Sequence, residues 1–395
     1  MRLRAGLFAL AAIAFLAPRP CTAQERGATA LGDALEGLPV SVRVLVIAAH
    51  PDDEDTRLIT WLQKGRHASV AYLSLTRGDG GQNLIGNELG DELGVIRTEE
   101  LLAARRIDGA QQYFTRAYDF GFSKSAAETY THWPHDTLLA NVVTVVRAFR
   151  PQIIIAVFSG TPRDGHGQHQ VSGILAREAY DAAGDASRFP SSATSGLAPW
   201  TPLKFYRTTS YWQGAGATFH YNAGEYSPLL GMSYSQFGLE GLAHQTSQGT
   251  GGIRVLPGHR YTYYRLIDST LPKPAGHEKD FFEGIDTSLA GLAARLGAEG
   301  AARAARLVPR RRRRCRAARI PGPCARRLGR GCIRRGRAPA RAARARHCGA
   351  GRMRDAAGRR LQVERARGGR AAAPALGQAQ RGELALRPAR PLGRA

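Results

Sequence analysis

The sequence predicts an α/β fold, a three-layer Rossmann-like domain built on a mostly parallel sheet, and three observations carry that expectation. Val44 to Ala49 and Ile153 to Phe158 are uninterrupted apolar runs, the pattern of strands buried on both faces. Ser41 to Leu75 reads as strand, helix, strand with an ordinary crossover length, which starts a parallel sheet. Polar loops bearing histidine, aspartate and glycine follow both apolar runs, at the strand ends where open α/β sheets bind ligands.

Taken in order, Gln24 to Pro39 is a polar, glycine-bearing lead-in and Ser41 to Ala49 the first strand. A helix over Asp53 to Lys64 sets Leu58, Ile59 and Leu62 on one face, and Ala68 to Leu75 is the second strand. Arg97 to Ile107 reads as a helix and Tyr113 to Phe120 as a strand. Asp136 to Phe149 is a strongly amphipathic helix stopped by Pro151. After the strand Ile153 to Phe158 and its loop, Gln170 to Ala182 is a helix. Arg188 to Pro202 is a surface excursion, Leu203 to Ser210 a strand, and Gly214 to Gly252 a loop and short-helix region near the site. Tyr261 to Ile267 is a strand. His277 to Leu296 is expected as a final helix, with Phe282, Ile285, Leu289 and Leu292 on one face.

The formal net charge of +24 would ordinarily point to a polyanion partner. Its distribution argues otherwise: residues 301–395 hold 29 arginines and 3 acidic residues, leaving 27 basic and 29 acidic residues in the first 300. No nucleic-acid partner is expected for that first part. The tail has no lysine and no aromatic residue, and cannot bury a core. Arginine, alanine, glycine and proline are the residues of G- and C-only codons, so 301–395 is expected to be a disordered arm or a stretch read out of its natural frame. At the N-terminus, Arg2 and Arg4 precede an apolar run from Ala5 to Ala17, then Cys21-Thr22-Ala23. This is the pattern of a secretory signal peptide over residues 1–23, so a secreted or periplasmic protein with no membrane span after cleavage is expected. Residues 24–300 contain no cysteine, so disulfides do not hold the folded domain.

The chemistry concentrates in His50-Pro51-Asp52-Asp53-Glu54, at the end of the first strand. The same residues suit a turn and helix cap, and the two roles are compatible. His50, Asp52 and Asp53 cannot all point one way. The reading adopted puts His50 and Asp53 on a metal ion and leaves Asp52 facing the water as a base. His166 and His169, a close histidine pair, leave the end of the Ile153 to Phe158 strand on the same sheet edge. His169, at the start of a helix, is the better fixed ligand, which frees His166 for protonation or oxyanion stabilisation. Two histidines and an aspartate suit zinc, and equally iron or cobalt. Arg77 and Asp79, in the glycine-rich loop after the second strand, could grip hydroxyls, and His244 is a candidate substrate or outer-shell group.

Ala49-His50-Pro51-Asp52-Asp53-Glu54 with a downstream His-x-x-His resembles the PIG-L (LmbE-like) deacetylases over roughly residues 40 to 270, and the insertions resemble a longer, exported branch. The resemblance implies Zn2+ held by His50, Asp53 and His169, Asp52 as general base, and His166 as oxyanion stabiliser and acid. It also implies Arg77, Asp79 and Arg97 as contacts to sugar hydroxyls, and an N-acetylated amino sugar as substrate. One departure stands out. Many members read His-Pro-Asp-His where this chain has His166-Gly167-Gln168-His169, so the carboxylate between the histidines is missing, and Asp164 is the expected substitute. The contrasting expectation is a non-catalytic sugar-binding module on the same fold. The sequence leaves substrate identity and oligomeric state open.

Overall fold

The computed structural model describes residues 27–209, 214–272, 274, 276–295, 297 and 302. The expected signal peptide, and all but residue 302 of the expected tail, lie outside them. The described residues open on helix α1 (Ala28–Gly37), within the stretch read as a lead-in. Strand β1 (Arg43–Ala48) leads through a turn at Pro51–Asp53 into α2 (Thr56–Thr60), which widens into a π turn at Trp61–Gly65. Strand β2 (Ser69–Ser74), helix α3 (Asp91–Asp108) and strand β3 (Gln111–Phe114) follow. Next come α4 (Ala126–Thr129), α5 (His135–Phe149), β4 (Ile153–Ala156) and α6 (Gly167–Ala182). The remainder is β5 (Lys204–Thr208), β6 (Phe219–Asn222), the short pair β7 (Tyr226–Ser227) and β8 (Met232–Ser233), α7 (Tyr234–Leu242), β9 (Tyr261–Ser269) and α8 (Leu289–Arg295).

The main sheet runs β3-β2-β1-β4-β5-β9-β6. The first five strands are parallel, and β9 pairs antiparallel with both β5 and β6. The chain winds outward from β1 to β3 and then returns to place β4 on the other side of β1, so the order reverses between β1 and β4. Such a switch point opens a crevice beyond the strand ends. The fold is the three-layer α/β class expected, because the sheet is covered on both faces. Val44, Val46, Tyr72 and Ile155 pack with Leu58, Ile59 and Leu101 on one face. Leu45, Ile47, Leu73 and Ile154 pack on the other with Val142, Val146, Val171 and Leu175.

Several expectations are corrected. α3 begins at Asp91 rather than Arg97, since Asp91 and Glu92 can occupy a first turn beside the positive end of the helix. β3 ends at Phe114, and the chain from Thr115 to Phe120 turns toward the site. α6 begins at Gly167, three residues before the expected start, which puts His169 in its first turn. The expected helix over His277 to Leu296 is reduced to Leu289–Arg295 among the described residues. Phe281 and Ile285 instead enter the core from a turn region that includes Gly284 at φ +79°.

Candidate metal centre

The two loops at the switch point are bent in the same way. After β1, His50 takes an extended conformation, Pro51 opens a 3-10 turn, and the Asp53 carboxylate accepts from the backbone of Ala49 (3.2 Å) and His50 (2.7 Å). After β4, Thr161 is extended, Pro162 opens the turn at Pro162–Asp164, and Asp164 accepts from Ser159, Gly160 and Thr161 at 2.8–3.1 Å. Proline suits the first helical position, where no N–H is needed.

These bends bring His50, Asp53 and His169 together, with one donor atom from each within 4.8 Å of the others. His50 Nδ1 is 3.1 Å from Asp53 Oδ2 and 3.2 Å from His169 Nε2, and His169 Nε2 is 3.4 Å from Asp53 Oδ1. The outer nitrogens of both rings are engaged. His50 Nε2 donates to Gln168 Oε1 at 2.8 Å, and His169 Nδ1 faces the Asp164 carbonyl at 3.4 Å while Phe158 stacks on its ring. Engagement of the outer nitrogen aims the inner lone pair, as in metal-binding histidines generally. A nitrogen-and-oxygen donor set of three that leaves room for water fits a catalytic zinc site.

Burial works against a charged His50 ring, but the carboxylates of Asp53, Asp119 and Asp52 outweigh it and push the pKa up to about 9. Burial likewise disfavours the Asp53 carboxylate, yet His50 and His169 hold it well below the usual range. His166 is pushed down by burial and by the neighbouring His50 and His169. Its ring is sandwiched between His50 and the exposed Phe122, at centroid distances of 5.3 and 5.1 Å. His166 Nδ1 accepts from Gln168 N–H at 3.4 Å and lies 3.3 Å from Ser123 N–H, although the Ser123 carbonyl is also 3.2 Å away.

Asp52, on the same turn, is ion-paired with Arg97. Arg97 is 2% exposed and also donates to the Gly78 carbonyl at 3.0 Å, so it holds Asp52 and is not free to meet a sugar. Gly78 has φ +70°, and a Cβ there would collide with the guanidinium, so glycine is required where the loop closes over it. Arg77 donates to Thr98 at 3.0 Å and lies over the Phe114 ring. Asp79 accepts from the Asp119 backbone N–H at 3.2 Å. Both line a cavity of about 540 Å³ that also takes in Asp91 and Tyr118. His244 lines a different cavity, of about 720 Å³, with Lys64, Arg106 and residues of α1, and so is not gathered to the metal cluster. Its neighbour Gln245 reaches the Pro51 carbonyl at 3.4 Å.

Asp164 does not replace the missing carboxylate as expected. Its side chain is consumed by the loop it caps, and it serves His169 through its backbone carbonyl. Gln168 and Asp119 take the outer position at His50, with Gln168 Nε2 donating to Asp119 Oδ1 at 3.0 Å. Gln168 was readable as the residue between the histidines. Asp119, 49 residues earlier, gave no local signal. Glu54 is fully buried and ion-paired with Arg105, and burial pushes its pKa up to about 7 against that cation.

Fold and site together define an α/β protein with a candidate metal centre at the switch point of its sheet. Over residues 45–180 the chain matches the PIG-L family model, described as GlcNAc-PI de-N-acetylase. It is similar to diacetylchitobiose deacetylase of Thermococcus kodakarensis, with 33% identity over 170 residues, covering 42% of this chain and 60% of that protein. It is also similar to 1D-myo-inositol 2-acetamido-2-deoxy-alpha-D-glucopyranoside deacetylase of Geodermatophilus obscurus, with 31% identity over 185 residues, 42% of this chain and 60% of that protein. The chain thus spans about 60% of the length of these curated relatives. Among solved structures it is similar to N,N'-diacetylchitobiose deacetylase from Pyrococcus horikoshii, with 18% identity, a TM-score of 0.42, and coverage of 55% of this chain and 83% of that one.

Proposed function

We propose that the protein is a zinc-dependent hydrolase that removes the acetyl group from an N-acetylated amino sugar. The observation that carries this reading is the convergence of His50, Asp53 and His169, with His166 stacked on His50 and Asp52 on the adjoining turn. His50 Nδ1, Asp53 Oδ1 and His169 Nε2 would hold the ion. When bound, it supplies Lewis-acid polarisation of the amide carbonyl and acidifies water toward a pKa of about 7.

The chain's own groups do the rest. Asp52, oriented by Arg97, takes the proton of the attacking water as its oxygen bonds to the carbonyl carbon. His166, with Nδ1 accepting from backbone N–H, carries its hydrogen on Nε2 and donates a hydrogen bond from it to the developing oxyanion. The C–N bond then breaks, and the proton passes to the departing amine, leaving acetate and a free amino sugar. A cleft of about 530 Å³ adjoining Asp53, lined also by Arg57, Thr208, Ser235 and Tyr261, offers room for the sugar. Deacetylase relatives that share the matched segment support this substrate class.

The test is zinc content of the full chain together with acetate release from N-acetylglucosaminyl substrates. Asp52→Asn is expected to keep zinc and lose about 10² to 10⁴ in turnover. His169→Ala is expected to lose the metal. Unchanged turnover in Asp52→Asn would remove the base assignment, and zinc binding without any acetate release would favour a sugar-binding module. We further propose export as the setting, from the basic and apolar N-terminal pattern. N-terminal sequencing of the mature protein from its native host should begin after Ala23.

A further inference from the structure

We infer that Gln168, backed by Asp119, is the positioning residue that fixes which ring nitrogen of His50 is left for the metal. The inference rests on the metal reading above. Gln168 Oε1 lies 2.8 Å from His50 Nε2, while Gln168 Nε2 donates to Asp119 Oδ1 at 3.0 Å and to the Gly121 carbonyl at 2.9 Å. Both partners on the nitrogen side are acceptors, so a reversed amide would set oxygen against oxygen twice. The amide oxygen therefore faces His50. It can only accept, so Nε2 must carry the ring hydrogen and Nδ1 is the nitrogen turned to Asp53 and His169.

The arrangement is sealed from water, with Gln168 0% and Asp119 6% exposed, so no solvent molecule can stand in for either partner. It also differs in kind from a carboxylate placed directly on a ligand histidine. Asp119 Oδ2 is 3.9 Å from His50 Nε2, too far to accept its hydrogen, and its charge reaches the ring only through the polarised amide. With a metal on Nδ1, His50 would thereby be held by a neutral acceptor and stay an imidazole rather than being drawn toward imidazolate.

The test uses the full chain labelled with 15N-histidine, with and without zinc, and zinc affinity measured by chelator competition. The His50 signal is assigned by its loss in His50→Asn. The wild type should show a slowly exchanging His50 Nε2–H resonance in both states. Gln168→Leu should lose that resonance and about 10- to 100-fold in zinc affinity. If Gln168→Leu does not fold, Gln168→Asn, too short to span His50 and Asp119, should show the same losses. A Gln168→Leu or Gln168→Asn protein that keeps the resonance and zinc affinity within twofold would overturn the inference. A wild type that takes up no zinc would sink the metal reading instead. The Nε2–H signal of the metal-free protein would then still decide whether Gln168 holds the ring.

Discussion

His50 is where the electrostatics can be put to a test. Its pKa rises from the ordinary 6.5 to about 9, because neighbouring carboxylates outweigh burial. In metal-free protein near neutral pH the ring is therefore charged, with Nδ1–H directed at Asp53. A raised histidine pKa contributes stability that is fully present below the unfolded value and is lost as pH climbs through the folded one. Calorimetry of the metal-free protein should thus show this contribution fading between about pH 6.5 and 9 in wild type but not in His50→Asn. A metal ion must displace the same proton, so zinc affinity should rise by about tenfold per pH unit below 9. Titration at pH 7 in buffers of different ionisation enthalpy should register a proton released; none released would contradict it. The clustered residues His50, Asp53 and His169 were legible because they fall in His-Pro-Asp-Asp and His-x-x-His. Arg97 was read as a sugar contact because sequence shows a cation but not the Asp52 carboxylate with which it pairs.

At the scale of elements, α3 anchors the loop that follows β1. Arg105 pairs with Glu54 at one end of its guanidinium and with Asp108 at the other, all three buried. Removing the cation strands two buried carboxylates, a change that typically costs about 3–5 kcal/mol. Arg105→Met should therefore lower the urea midpoint substantially, and a loss below about 1 kcal/mol would show that the pair is easily replaced. β1, β2, β4 and α5 were readable within two or three residues, since their apolar periodicity is uninterrupted. β6 was not. Its His220 and Tyr221 alternate within a glycine-rich stretch that has no strand-like run, and only pairing with β9 makes it a strand. The final helix failed for the opposite reason. Phe282 and Ile285 share a helical spacing with Leu289, but they reach the core through turns, which spacing alone does not distinguish from a helix.

For the whole molecule, closure depends on chain segments far apart in sequence. Ser41 donates to the Ser288 carbonyl at 2.7 Å, and Lys204, at the start of β5, is buried with Glu278 at 2.7 Å and Tyr206 at 3.3 Å. A chain ending at Gly276 would leave Lys204 buried without its counterion. We expect that truncation to lose the cooperative thermal transition of the full chain; one sharp transition within a few degrees of it would show the C-terminal segment to be dispensable. Among the described residues no helix is long and apolar enough to cross a membrane. The sequence reading anticipated the three-layer α/β class and was silent on these long-range ties, which leave no local pattern.

The paired proline turns make the centre a caliper. Its jaws, Pro51–Asp53 and Pro162–Asp164, spring from β1 and β4, which are hydrogen-bonded neighbours with Ile47 opposite Ala156. Neighbouring strands lie about 4.8 Å apart by backbone geometry alone. The gape between the jaws is therefore ruled by the peptide ladder beneath them, and side chains above can be exchanged without resetting it, so long as that ladder does not slip.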